Sequence, residues 1–232
     1  MRILSGLAAA LWLVLATSPG AETRPVVVEL YTSQGCSSCP PADEFMHKLA
    51  ARDDVIALAL HVDYWDYIGW KDIFASRAFS DRQRHYAIAG GRRSVYTPQM
   101  IIAGQEDVVG THPMDVNDLI KQHAAQKPEI DLEISRAGGK LAIRAAAKRA
   151  STAQMVVHLV RYIPRETVKV KRGENAGRSL NYSNIVTDWK TVTKWDTRQP
   201  LNTTLRVNGD LPLVVIIQRD DFGPIEAAAR LR

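Results

Sequence analysis

The apolar positions of this chain follow two patterns that change near its middle. In the first half, Val26-Val27-Val28-Glu29-Leu30-Tyr31 and Val55 to Val62 are almost uninterrupted apolar runs, as expected of strands buried on both faces. Between them, Ala42 to Leu49 has helical spacing, and Asp53-Asp54 ends it near Arg52. Pro40 and Pro41 stand at its first turn, where a missing N–H is tolerated. Strand, helix and strand over this distance predict a parallel pair with a right-handed crossover. Ser80-Asp81-Arg82-Gln83 has the form of a capping box, with Ser80 as N-cap of a helix that stops at Gly90-Gly91. Met100-Ile101-Ile102 and Val108-Val109 read as short strands, and Asp115 to Gln126 as a closing helix.

After Lys127-Pro128 the pattern alternates. Ile130 to Ile134 and Leu141 to Arg144 flank Ala137-Gly138-Gly139-Lys140, a hairpin. Met155 to Tyr162, Thr167 to Val170, Leu201 to Val207 and Leu213 to Gln218 are further strand candidates, with a helix only near the C-terminus from Ile225. Short strands at this density predict a smaller all-β, sandwich-like domain over residues 129–232, behind an α/β domain over residues 22–128.

Residues 1–21 form a third region. Met1-Arg2, the apolar run Ile3 to Ala16 and the breaking stretch Thr17 to Ala21 match a secretory signal peptide and are too short for a comfortable span. The expected location is therefore periplasmic or secreted, with no stable membrane span after cleavage. Charge is uneven: twelve Lys/Arg face fourteen Asp/Glu up to Pro128, against eighteen and eleven from Glu129 onward. No nucleic-acid motif accompanies the basic half, so a solvated surface accounts for it and no nucleic-acid partner is expected.

The two cysteines, Cys36 and Cys39, lie in Gly35-Cys36-Ser37-Ser38-Cys39-Pro40-Pro41, between the first strand and the first helix. Export allows a disulfide to persist. A bridge across two residues closes too small a loop to restrict the unfolded chain much, which favours redox or metal chemistry over a staple.

The order strand, Cys-x-x-Cys, helix, strand, helix, Thr97-Pro98, strand, strand, helix resembles the thioredoxin fold over about Pro25 to Lys127. That resemblance implies a cis-proline at Pro98, packed against the cysteines, with Thr97 exposing its backbone to an extended substrate. The sequence departs from a plain thioredoxin in Ser37-Ser38, in the aromatic insertion Asp63 to Phe79, and in its second region. Several stretches together are similar to the secreted bacterial thioredoxin-like family catalogued as domain of unknown function 1223. They are Glu29 to Asp43, His61-Val62-Asp63-Tyr64-Trp65-Asp66, Tyr96-Thr97-Pro98-Gln99 and Gly173-Glu174-Asn175-Ala176-Gly177-Arg178. The family implies a fold and a location and no activity.

The chemistry expected of such a site is thiol–disulfide exchange. Cys36, just before the helix, would be the nucleophile, favoured by unpaired N–H groups and the dipole. Cys39 would resolve. The resemblance gives Glu29 the role of a buried acid that moves the proton of Cys39; the alternative is a salt-bridged Glu. The aromatic insertion is either a wall that holds substrate or packing that covers the sheet. Glu174, Asn175 and Arg178 approach the site by analogy alone, with a plain turn as the alternative. Expected partners are protein or small-molecule thiols and disulfides and a recycling redox partner. No cofactor and no metal is assigned. Two other classes stay open: a non-catalytic periplasmic protein that binds copper or a protein partner, with His61 and Asp63 beside the cysteines as soft ligands, and a structural module that docks through its C-terminal half.

Overall fold

The computed structural model describes residues 24–232. The expected signal peptide lies outside the described residues. Among these residues no helix is long and apolar enough to cross a membrane.

The expected strand–helix–strand unit forms. Strand β1 (Val26–Thr32) and strand β2 (Val55–His61) are buried along their whole lengths and pair in parallel, from Val26 opposite Val55 to Thr32 opposite His61. Helix α1 (Pro40–Ala50) crosses between them. Helix α2 (Arg77–Ala89), strand β3 (Gln99–Ile102), strand β4 (Glu106–Val109) and helix α3 (Pro113–Ala124) follow in the expected order. Alternation along β1 separates two cores. Val26, Val28 and Leu30 face α1 and α3 with Met46, Leu49, Val116 and Ile120. Val27 and Tyr31 face the opposite side, with Phe79 and Tyr86 of α2.

The second half comprises strands β5 (Ile130–Ala137), β6 (Lys140–Ala147), β7 (Met155–Lys169), β8 (Ser179–Trp195), β9 (Leu201–Arg206), β10 (Leu213–Arg219) and β11 (Ile225–Leu231). They do not build a sheet pair of their own. Four of them extend the first sheet, which runs β11-β10-β7-β8-β2-β1-β3-β4, and only β5-β6-β9 form a separate antiparallel sheet. The two sheets share a core in which Leu141 and Ile143 meet Val157, Val215 and Ile217. The smaller sheet thus packs against strands of the large mixed sheet begun by β1 and β2. The junction is β2 with β8, where Ala59 pairs Ile185 in parallel and the Asn184 amide donates to the Ala57 carbonyl at 2.8 Å.

Two local expectations are corrected. The helix begins at Arg77, so Ser80 is no cap; its buried hydroxyl donates to Asp63 Oδ1 at 2.5 Å, and Gln83 reaches the Tyr96 carbonyl at 2.8 Å. The C-terminal segment from Ile225 is a strand. Its alanines favour helix in isolation, but pairing with β10 buries Ala227 in one core and Ala228 in the other.

The sheet is pinned on its α2 face by a buried ion pair. The Arg82 guanidinium donates to both oxygens of Glu29, at 2.7 and 3.0 Å, and to Gln218 Oε1 at 3.0 Å. Tyr31 and Tyr86 also donate to the Glu29 carboxylate, at 3.0 and 2.7 Å. The guanidinium carbon lies 3.8 Å from the ring centre of Trp189. One cation thereby ties β1, α2, β8 and β10. Removing it leaves a buried carboxylate without its counter-ion, so Arg82→Leu should lower the urea unfolding free energy by about 3–5 kcal/mol. The double change Glu29→Leu/Arg82→Leu should recover most of that loss, and a single-variant loss below about 1 kcal/mol would contradict a pinning role.

Candidate functional site

Between β1 and α1 the chain makes a buried turn. The Cys36 N–H donates to the Ser33 carbonyl at 3.1 Å, and the Cys39 N–H to the Cys36 carbonyl at 3.3 Å. Cys36 and Cys39 are joined as a disulfide with their Cα atoms 5.4 Å apart, and they are 3% and 0% exposed. Only Ser37 and Ser38 of the turn reach solvent.

The helix start does not supply the expected free N–H groups to Cys36. Pro40 and Pro41 have none, and the Ala42 and Asp43 N–H groups both go to the Cys39 carbonyl. The donor on the sulfur comes from elsewhere. The hydroxyl of Thr97, the residue before the cis Thr97-Pro98 bond, donates to Cys36 Sγ at 3.2 Å. Trp65 Nε1 donates to the Thr97 oxygen at 2.8 Å, which leaves the hydroxyl proton for the sulfur. Ser38 Oγ lies 3.4 Å from both Cys36 Sγ and the Thr97 carbonyl and has one proton for the two. Thr97, Pro98, Cys36 and Cys39 are therefore brought together.

The aromatic insertion covers this turn. A Cβ on Gly35 would lie 3.3 Å from the Trp65 Cβ, so glycine permits the close approach. Trp70 Nε1 donates to Gln34 Oε1 at 2.7 Å. Trp65 stacks on Tyr67, whose ring is 79% exposed and forms the outer rim. The insertion thus packs over the turn that carries Cys36. His61 and Asp63 are engaged separately, His61 Nδ1 with Asp72 at 2.7 Å and Asp63 with Ser80. Among the described residues, no group of three or more His, Cys, Asp and Glu side chains is placed to hold a metal ion.

Glu29 is buried as expected, but on the α2 face, with its carboxylate filled by Arg82, Tyr31 and Tyr86. It is the salt-bridged alternative, and the sheet separates it from α1. The buried acid on the α1 side is Asp43, to which residue pattern alone assigns no role. It lies on α1 four residues after Cys39, so the two share one helix face about 6 Å apart at Cβ. Its Oδ1 accepts from the Thr32 hydroxyl at 2.8 Å. Burial pushes its carboxyl up to about 7, with His61 and the Thr32 bond opposing and Asp72 reinforcing. Asp43 Oδ2, His61 Nε2, Gln34 Nε2 and the Tyr182 hydroxyl are all buried without a protein partner. The available signal was the i, i+4 spacing to Cys39, yet an acid in the first turn reads equally as a complement to the helix dipole.

The second half also reaches the site. Asn175, on the tip between β7 and β8, is 1% exposed and donates to the carbonyls of Gln34 and Cys36 at 3.0 and 2.9 Å. Arg178 Nη1 donates to Asn175 Oδ1 at 2.9 Å, whereas Glu174 is exposed.

No curated protein matches this chain. It is similar to the crystal structure of protein AGR_C_4864 from Agrobacterium tumefaciens, with 32% identity over 91% of this chain and 96% of that one and a TM-score of 0.77. It shares a fold with HBP35 of Porphyromonas gingivalis, at 12% identity, 90% and 75% coverage and a TM-score of 0.61. With residues 27–218 matching the family described as "Protein of unknown function (DUF1223)", this chain belongs to that family.

Proposed function

We propose that this protein is an exported thiol–disulfide oxidoreductase on a thioredoxin-like scaffold, acting through Cys36 and Cys39 in an oxidising compartment. The single observation that carries the reading is the hydroxyl of Thr97 on Cys36 Sγ, oriented by Trp65. A staple needs no donor on its sulfur; a thiolate leaving or attacking at Cys36 is stabilised by one. The resemblance to thioredoxins, the signal-like N-terminus and the minimal disulfide loop support the same reading.

With a substrate dithiol, a substrate thiolate attacks Cys36 Sγ and the Cys36–Cys39 bond breaks. The Cys39 sulfur leaves with the electron pair and takes a proton from Asp43. The second substrate thiol loses its proton to solvent, attacks the substrate sulfur of the mixed disulfide and releases the Cys36 thiolate onto Thr97. Two electrons pass from substrate to the pair. With a substrate disulfide the steps run backward, and Asp43 accepts the Cys39 proton as Cys39 resolves. Because Cys36 is only 3% exposed, substrate enters by displacing the Trp65–Tyr67 rim.

Cys36→Ser should abolish exchange with glutathione disulfide, and Cys39→Ser should accumulate a mixed disulfide visible by mass; unchanged exchange in Cys36→Ser would end the reading. Thr97→Val, which keeps the shape and removes the donor, should slow alkylation of reduced Cys36 at neutral pH on the order of tenfold, the worth of a hydrogen bond to a charged group. Asp43 acts as base only when ionised. Resolution of a preformed mixed disulfide should therefore quicken as pH rises through about 7. In Asp43→Asn that step should vanish and the rate fall about a hundredfold. Single-turnover decay of the mixed disulfide across pH measures both.

A further inference from the structure

The amide of Asn175 is fully committed. Its two protons go to the Gln34 and Cys36 carbonyls, and its oxygen accepts from Arg178. The orientation is fixed, because a flipped amide would set its oxygen against two carbonyls. Its support is equally defined. Val170 and Gly177 donate to the carbonyls of Arg178 and Val170 and close the tip, and a Cβ on Gly173 would lie 3.2 Å from the Ile68 carbonyl and 3.3 Å from Trp70. The tip crowns the long β7–β8 hairpin, whose β8 strand is joined to β2 inside the large sheet. On the Cys36 carbonyl, the Asn175 bond at 2.9 Å is shorter than the local bond from the Cys39 N–H at 3.3 Å.

We propose that Asn175 is a positioning residue that sets the redox equilibrium of the cysteine pair, by holding the turn in its closed shape when no disulfide holds it. The inference rests on the redox reading above and adds the C-terminal half of the chain to the redox device. In the oxidised protein the S–S bond already holds residues 36–39 in the closed shape, so both Asn175 bonds form at full strength with no ordering cost. In the dithiol only non-covalent contacts keep Cys39 near Cys36. Asn175 and the Cys39 N–H then limit the opening of the turn, and the effective concentration of one sulfur at the other stays high. Asn175 thus favours the disulfide and makes the pair more reducing. The couple is unchanged in its balance: the protein disulfide and two glutathione thiols give the protein dithiol and one glutathione disulfide.

The test equilibrates the full chain with mixtures of reduced and oxidised glutathione, then quenches, alkylates and weighs the two forms. Asn175→Asp keeps the size and removes both donors; it should lower the equilibrium constant for disulfide formation about tenfold, a shift of about 30 mV toward the oxidising side. Arg178→Ala, which frees the amide oxygen, should shift it in the same direction by less, and serves alone if the Asn175 variant does not fold. Leu141→Ala, in the core between the two sheets, should lower the unfolding midpoint and leave the constant unchanged. A constant within twofold of wild type in the folded variants, or a shift toward the reducing side, overturns the proposal while the redox reading stands. A wild-type pair that never exchanges with glutathione overturns both.

Discussion

Apart from Ser37 and Ser38, the turn from Ser33 to Cys39 is buried, and it enters a helix whose first two residues have no N–H to offer. A buried polar backbone must find partners, and here they come from distant segments. Asp72 accepts from the Gln34 N–H at 2.8 Å, and Asn175 donates to the Gln34 and Cys36 carbonyls. Thr97 and Trp65 complete the sulfur's surroundings. Each of those segments is held in place by something else: Asp72 by His61 and Asp66, Asn175 by Arg178, Thr97 by the strand after Pro98. The need to satisfy this one turn explains why an aromatic insertion and a hairpin tip from the other half of the chain converge on it.

Two buried acids lie on opposite faces of the same sheet and have opposite fates. Glu29 has a guanidinium and two phenols on its carboxylate, so its charge is spent on joining β1 to α2. Asp43 has one hydroxyl and an empty second oxygen, and burial raises it into the range where it exchanges a proton near neutral pH. The difference lies in the partners that packing supplies, because burial is nearly complete for both.

The same asymmetry shows what could be read from residue order. The buried strands β1 and β2, the helix start at Pro40, the hairpin at Gly138-Gly139 and the meeting of Thr97-Pro98 with the cysteines follow from local pattern and from a resemblance carried by those residues. Ser80 and the alanine-rich end misled, because a cap box and helix propensity are local preferences that sheet pairing and burial override. Glu29 misled because an apolar strand shows that an acid is buried, without showing on which face its partners lie.

By itself, the sequence determined that two cysteines would stand between a buried strand and a proline-led helix, that a Thr-Pro step would follow the second helix, and that the remainder would be β-rich. Periodicity, proline and cysteine spacing act over a few residues and are legible there. Only the tertiary structure decided that the second half would continue the first sheet, that Asp43 would be buried on the α1 side of it and Glu29 on the α2 side, and that Asn175 would bond the Cys36 carbonyl from 139 positions away. Those outcomes depend on strand order and on which faces meet, and a hydrogen bond across that separation exists only once the sheet has brought its two ends together.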